Sequence, residues 1–337
     1  MKKKFYFTLL VGSFTTFVFI FFNFNSIDKN EQIKISIKTK AKNNSSKLLI
    51  KLIKQQKSTT TISTSSIILN TIQMREQQTN LLCIILTSKK SIFDRGPAVW
   101  DTWSHKCNKT MFSLNSNDLK QNITESNLKF LNKINILNLS MNESYDKMAE
   151  KVLLTLKMMY ELNNNETRFN WYLLVDDDTF IYIDNLYKFL KSTDSKLPYT
   201  YGYNFKQVVP TGYHSGGGGV VLPIESLERL YESIITDKCP LKNGYSDVAL
   251  GQCSHISNVK LGNSTDSLER ERFHPLDVKD HYGGNYPDWM YSYAKNKVKS
   301  GIECCSLESI SFHYVKQQDM YKMAKSQNYL DFINGKL

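Results

Sequence analysis

Three consecutive carboxylates, Asp176, Asp177 and Asp178, close an apolar run in residues 171–184, WYLLVDDDTFIYID. Adjacent acids repel one another unless a cation or hydrogen-bond donors compensate them, so a hard divalent metal held by oxygen ligands is the economical chemistry for this triplet. A solvated acidic turn is the competing reading. Two histidines that each follow a phenylalanine, His274 in RFHP and His313 in SFHYV, offer a neutral ligand to complete such a site. A lone histidine is more often a packed or hydrogen-bonded one.

Other residue types at chemically useful spacings lie on both sides of the triplet. Asp247, in YSDVALG, reads as the cap of a helical turn, with Ser246 competing for the cap. Arg95 sits between a first strand and a helix, a common place to hold a nucleotide phosphate, and also an ordinary place for a surface charge. Glycines 216–219 are costly to order, which points to a place where side chains must be absent, with Gly217 and Gly218 at its centre. Close ligand approach and tight packing both satisfy that. The spacing is neither a phosphate loop nor a dinucleotide fingerprint. Trp289, Tyr291 and Tyr293 supply aromatic faces of the kind that stack on a pyranose ring, or that pack on one another.

These groups need elements to carry them. LLCIILTS from residue 81 and the run Tyr172–Val175 read as buried parallel strands, continuous in apolar residues rather than alternating. The acids then arrive where such a strand leaves the sheet, and open α/β sheets bind ligands outside those ends. Residues 95–107 look like a turn feeding a helix with Val99 and Trp103 on one face, and 111–114 and 134–139 are short strand candidates. Residues 145–160 carry apolar side chains at helical spacing. Helices are expected again over 183–190, where Asp184 stands near the favourable end for a negative charge, and over 224–235. Residues 199–203 read as a strand, and Asp247 as the start of a short helical turn. The order of strands and helices argues an α/β fold with a sheet flanked by helices.

Charge divides the chain. Residues 1–78 contain thirteen Lys or Arg and three acids, a net of +10, which leaves +1 of the total +11 for residues 79–337. A nucleic-acid-binding body would carry its own basic stripe, and this one does not. Lys2, Lys3 and Lys4 precede the uncharged residues 5–22, which read as a signal anchor with residues 1–4 in the cytosol, a cleaved signal peptide being the alternative. The Lys, Ser, Thr and Asn-rich residues 23–80 read as a flexible stem, and 81–337 as the catalytic body. Six cysteines and acceptor triplets at Asn43, Asn44, Asn108, Asn122, Asn138, Asn142, Asn165 and Asn263 agree with a lumenal, oxidising address. The cysteines lack zinc spacing.

Together the motifs resemble the core 1 beta-1,3-galactosyltransferases, in the fringe-like family 31 of inverting glycosyltransferases. LLCIILTS, VWDTWSHKCNK, WYLLVDDDTFIYIDNL, GYHSGGGGVVL, DKC, SDVALGQC, RFHP, the adjacent cysteines and SFHYV occur in the family's order from residue 81 to about 321. GGGG stands where the family has GGAG. The resemblance implies a GT-A fold with a central mixed sheet on a single-pass, type II Golgi anchor, a UDP-galactose donor, Mn2+, and glycoproteins bearing N-acetylgalactosamine on Ser or Thr as acceptors. It implies Asp176, Asp178 and His313 as metal ligands, with His274 in reserve. It gives Asp176 and Asp177 to the donor, Asp247 to the general base, and Trp289, Tyr291 and Tyr293 to the acceptor. Disulfides Cys83–Cys107, Cys239–Cys253 and Cys304–Cys305, and a homodimer, are further implications. A fringe-like enzyme using another UDP-sugar or acceptor is the alternative.

Overall fold

The structure, a computed structural model, describes residues 79–335 except 118, 120, 122, 163–168 and 241–243, and the backbone of 5–13, 16–24 and 35–39. The chain divides into two units, Met1–Arg75 and Glu76–Leu337.

The first unit corrects the expected anchor. The described residues among 5–22 form strands, not a helix: β1 (Phe5–Ser13) and β2 (Thr16–Phe24) pair antiparallel, and β3 (Ile35–Thr39) adds to β2. No helix among the described residues is long and apolar enough to cross a membrane. This overturns the membrane-spanning helix, and with it the single-pass type II topology and the Golgi-membrane address that rested on it. The physical reason lies in composition: Phe, Thr, Val and Ile dominate residues 5–22, and aromatic and β-branched residues favour strands as strongly as their hydropathy favours a span. The expected cytosolic tail, residues 1–4, and most of the expected stem, residues 25–34 and 40–78, lie outside the described residues.

The second unit is built on β4 (Leu81–Leu86), α1 (Gly96–Thr102), β5 (Lys109–Leu114), α2 (Glu125–Leu131), β6 (Asn135–Asn138), α3 (Met148–Glu161) and β7 (Trp171–Asp176). There follow β8 (Phe180–Ile181), α4 (Ile183–Lys191), β9 (Tyr199–Thr200), β10 (Asn204–Phe205), β11 (Tyr213–His214), β12 (Val220–Pro223), α5 (Ile224–Ile235) and α6 (Ser246–Ile256). The chain continues through β13 (Lys260–Leu261), α7 (Val278–Gly283), α8 (Asp288–Tyr293), β14 (Ser311–Phe312), α9 (Gln317–Met323) and α10 (Tyr329–Ile333). The main sheet has the order β12-β7-β4-β5-β6, with β4 to β7 parallel and β12 antiparallel to β7. It is mixed and flanked by helices, as a GT-A fold requires.

Both sheet faces are covered, which explains the unbroken apolar strands. Leu81, Cys83 and Ile85 pack with Val99 and Trp103 on one face, while Leu82, Ile84 and Leu86 pack with Val152, Leu153 and Leu156 of α3 on the other. The chain leaves β4 for β5 and β6 on one side and returns to β7 on the other. A crevice therefore opens beyond the ends of β4 and β7, where Leu86 stands opposite Asp176.

Several element limits differ from the sequence reading. The expected helix at 145 begins as a 3-10 turn, Tyr145–Lys147, and becomes α-helical at Met148. The strand expected over 199–203 is the two-residue β9, and the turn at Asp247 is the eleven-residue α6. Helix α2 was not expected; Thr124 caps it, its side chain accepting from the Asn127 amide. Disulfides join Cys83 to Cys107, Cys239 to Cys253 and Cys304 to Cys305, the pairs the resemblance implies.

Candidate functional site

A cleft of about 1140 Å³ lies over the crevice between β4 and β7. Asp176 ends β7, and the turn after it carries Asp177 and Asp178. The following backbone is pinned from α1's side, where the Trp103 Nε1 donates to the Thr179 carbonyl at 3.1 Å. His313 comes from the far end of the chain, directly after β14, which pairs with β8. This pairing is what carries a residue 135 positions away to the acids.

One ligand atom from each of Asp176, Asp178 and His313 lies within 4.8 Å of the others. His313 Nε2 is 3.1 Å from Asp178 Oδ1 and 3.8 Å from Asp176 Oδ2. Its Nδ1 is 3.2 Å from the Pro275 carbonyl, which can only accept, so Nδ1 carries a proton and Nε2 is the atom aimed at the carboxylates. Gly217 is fitted to this ring: a Cβ there would stand 2.0 Å from His313 Cε1. Two carboxylates, an oriented imidazole and a backbone stripped to make room fit a divalent cation.

Electrostatics show what the cluster lacks without one. Burial, reinforced by Asp178, Asp177 and Asp247 and opposed by His313, pushes the Asp176 carboxyl up to about 6. Burial also pushes Asp178 up, but the hydrogen bond from His313 and the charges of His313 and Arg95 outweigh it and hold that carboxyl below its ordinary value. Burial would lower His313, yet its bond to Asp178 and the two carboxylate charges raise it. A cation held by Asp176, Asp178 and His313 would take the place of these protons.

The remaining expected residues separate. Asp177 is buried and faces the fold: Thr87 Oγ1 donates to its Oδ2 at 2.6 Å and Arg95 Nη1 to its Oδ1 at 2.9 Å. Arg95 also donates to Asp178 Oδ2 at 3.0 Å, so it neutralises part of the triplet from the cleft wall. Gly218 holds no room for the cleft, since a Cβ there would meet only ordinary contacts 3.6 Å away, and its carbonyl accepts from Ser311 Oγ. His274 lies away from the acids, stacked on Phe312 at 4.1 Å with Nδ1 on the Ser311 carbonyl, and burial drops it to about 3.

Asp247 lies at the start of α6 and lines the cleft; neither it nor Ser246 caps the helix, whose N-cap is Tyr245. Its Oδ1 accepts from the Val248 amide at 2.8 Å, and burial raises its carboxyl above the ordinary value despite bonds from Val248 and Gly216. Gly216 lets it approach, with a virtual Cβ already 3.3 Å from Asp247 Cβ. Trp289 and Tyr293, four residues apart on α8, line the cleft, whereas Tyr291 projects from another face of that helix into a different pocket.

The sequence reading missed Tyr314. Its ring stacks on His313 at 3.7 Å, it is exposed at the cleft mouth, and its φ of 54° is left-handed, a strained state for tyrosine. The available signal was adjacency to His313. Lys151 was also missed: it is buried under the cleft floor, donating to the Thr87 carbonyl and to Glu143.

Comparison with known proteins fits this geometry. The galactosyltransferase family matches residues 102–215, which include β7 and the acids. Glycoprotein-N-acetylgalactosamine 3-beta-galactosyltransferase 1 of Xenopus laevis is 30% identical over 251 residues, 73% of this chain. The chain belongs to family 31 of the glycosyltransferases. The region this family-31 chain shares with the frog protein spans 66% of that protein's length. Beta-1,3-glucosyltransferases of Mus musculus and Homo sapiens are each 35% identical over 95 residues, 27% of this chain and 19% of theirs.

Proposed function

We propose that this family-31 glycosyltransferase moves galactose from UDP-galactose to the 3-hydroxyl of N-acetylgalactosamine α-linked to Ser or Thr, inverting the anomeric carbon. The observation that carries the reading is the convergence of Asp176, Asp178 and His313 in the cleft that Asp247 and Trp289 also line. The galactosyltransferase activity in the frog relative's name, on glycoprotein N-acetylgalactosamine, supports the choice of donor and acceptor.

Asp176, Asp178 and His313 would hold Mn2+, whose charge offsets that of the donor's diphosphate. Asp247 accepts the proton of the acceptor hydroxyl as the new C1–O3 bond forms and the bond from C1 to the UDP oxygen breaks. No covalent enzyme intermediate is needed. The raised affinity of Asp247 for a proton suits that role, and its bond from Val248 fixes the carboxylate's orientation. Trp289 and Tyr293 offer the acceptor sugar an apolar face.

Transfer of glucose is a second reading, favoured by the higher identity to the beta-1,3-glucosyltransferases over their shorter match. A donor screen on one glycopeptide separates the two. Turnover of UDP-galactose at least tenfold above UDP-glucose is expected; the reverse order would replace galactose by glucose.

A further inference from the structure

Helix α8 has a second face, outside the cleft. Trp289 and Tyr293 belong to the cleft, but Tyr291 lines a separate pocket of about 290 Å³ together with Tyr286, Lys297, Lys299 and Glu303. Tyr286 and Tyr291 form an edge-to-face pair at 6.0 Å, and the Tyr286 hydroxyl is fixed by the His281 and Lys299 carbonyls. Tyr291 itself is 57% exposed. The floor is therefore rigid and its aromatic wall is open to solvent.

Charge gives the pocket its sign. Lys295, Lys297 and Lys299 fall within five residues, in a body whose net charge over 79–337 is only +1. Lys299 Nζ is occupied by the Glu269 carbonyl at 3.2 Å, whereas Lys297 has no ion pair among the described residues. Lys297 and Lys299 line the pocket against Glu303, and Lys299 is also drawn to Glu271, so Lys297 is the charge left to meet an anion. The pocket's position limits what that anion belongs to. A ligand reaching both pockets must cross the width of one helix, about 10 Å, which three residues of extended chain span.

We propose that this pocket docks an acidic side chain of the acceptor polypeptide, three or four residues from the sugar-bearing Ser or Thr. The site thus reads polypeptide sequence as well as sugar. Lys297 supplies the charge and Tyr291 the apolar wall for the methylenes of Asp or Glu. This rests on the proposed acceptor being a glycopeptide.

The full chain is tested on two kinds of acceptor. One is the benzyl glycoside of N-acetylgalactosamine, too small to leave the cleft; the others are glycopeptides with Asp, Ala or Lys three and four residues either side of a single glycosylated Thr. The KM for the Asp peptide is expected to lie about fivefold below that for the Lys peptide, the scale of one exposed charge pair, and to converge on it at high salt. Lys297→Glu reverses the order and Lys297→Arg preserves it, with kcat/KM on the benzyl glycoside unchanged in both. Equal KM values for Asp and Lys peptides, or a preference that survives Lys297→Glu, would overturn the proposal. Fluorescence polarisation of labelled Asp and Lys glycopeptides without donor reads the docking directly. Absence of transfer to the benzyl glycoside then counts against the proposed reaction, while peptide discrimination in the binding assay still decides the pocket.

Discussion

Asp247 is the residue on which the proposed chemistry turns. Asp247→Asn keeps its shape and its bond from Val248 but removes the proton acceptor, so kcat should fall by about 10²- to 10⁴-fold. Calorimetric UDP affinity should stay near that of the wild type; retained turnover would remove Asp247 from the reaction. Gly217 makes a sharper steric test. Gly217→Ala puts a methyl into the His313 ring and should abolish manganese-dependent UDP binding, while Gly218→Ala, with only ordinary contacts, should leave it within a few-fold. Equal tolerance at both positions would contradict the cradle. The four glycines were legible as a place without side chains, but which one faces His313 depends on backbone that no periodicity encodes. Arg95 and Asp177 both line the cleft and pair with each other at 2.9 Å, a mutual compensation that residues read one at a time do not reveal.

At the scale of the element, the acids depend on how β7 and β14 are held. The raised Asp176 carboxyl makes the cluster pH-sensitive with a definite sign. Its value in the fold, about 6, exceeds the ordinary 3.8, so this group disfavours the metal-free fold above about 6 and ceases to as pH falls toward 4. A cation held there would reverse this by binding the deprotonated form. The rise in melting temperature given by Mn2+ should therefore be full at pH 7.5 and shrink as pH falls through 6, in a thermal-shift series. A pH-independent shift would exclude Asp176 as a ligand. Helix α6, which presents Asp247, is tied by the bridge between Cys239 and Cys253, fourteen residues apart. Replacing both by serine should cost about 2–4 kcal/mol of stability in denaturant unfolding. The strands β4 and β7 were legible because both sheet faces are buried, leaving unbroken apolar runs. The phase of α8 was not: six residues are too few to show which way Tyr291 points.

For the whole molecule, the placement of the cleft follows from topology. A chain that starts in mid-sheet and returns on the other side of β4 leaves a crevice at the ends of β4 and β7, and the sequence puts its acids there. That link between a buried strand and three terminal carboxylates was readable before the fold was known. The N-terminal segment was not, because hydropathy alone does not separate an eighteen-residue apolar helix from two strands rich in Phe, Val and Thr. Transfer of galactose with inversion at the site of Asp176, Asp178 and His313 would leave its mark in the linkage of the product. The full chain is incubated with UDP-galactose and a glycopeptide bearing one N-acetylgalactosamine, with Mn2+ and with a chelator, and the linkage is read by NMR. A β-1,3-linked galactose that vanishes on chelation and returns with Mn2+ is expected; an α linkage, or equal product in the chelator, would contradict the account.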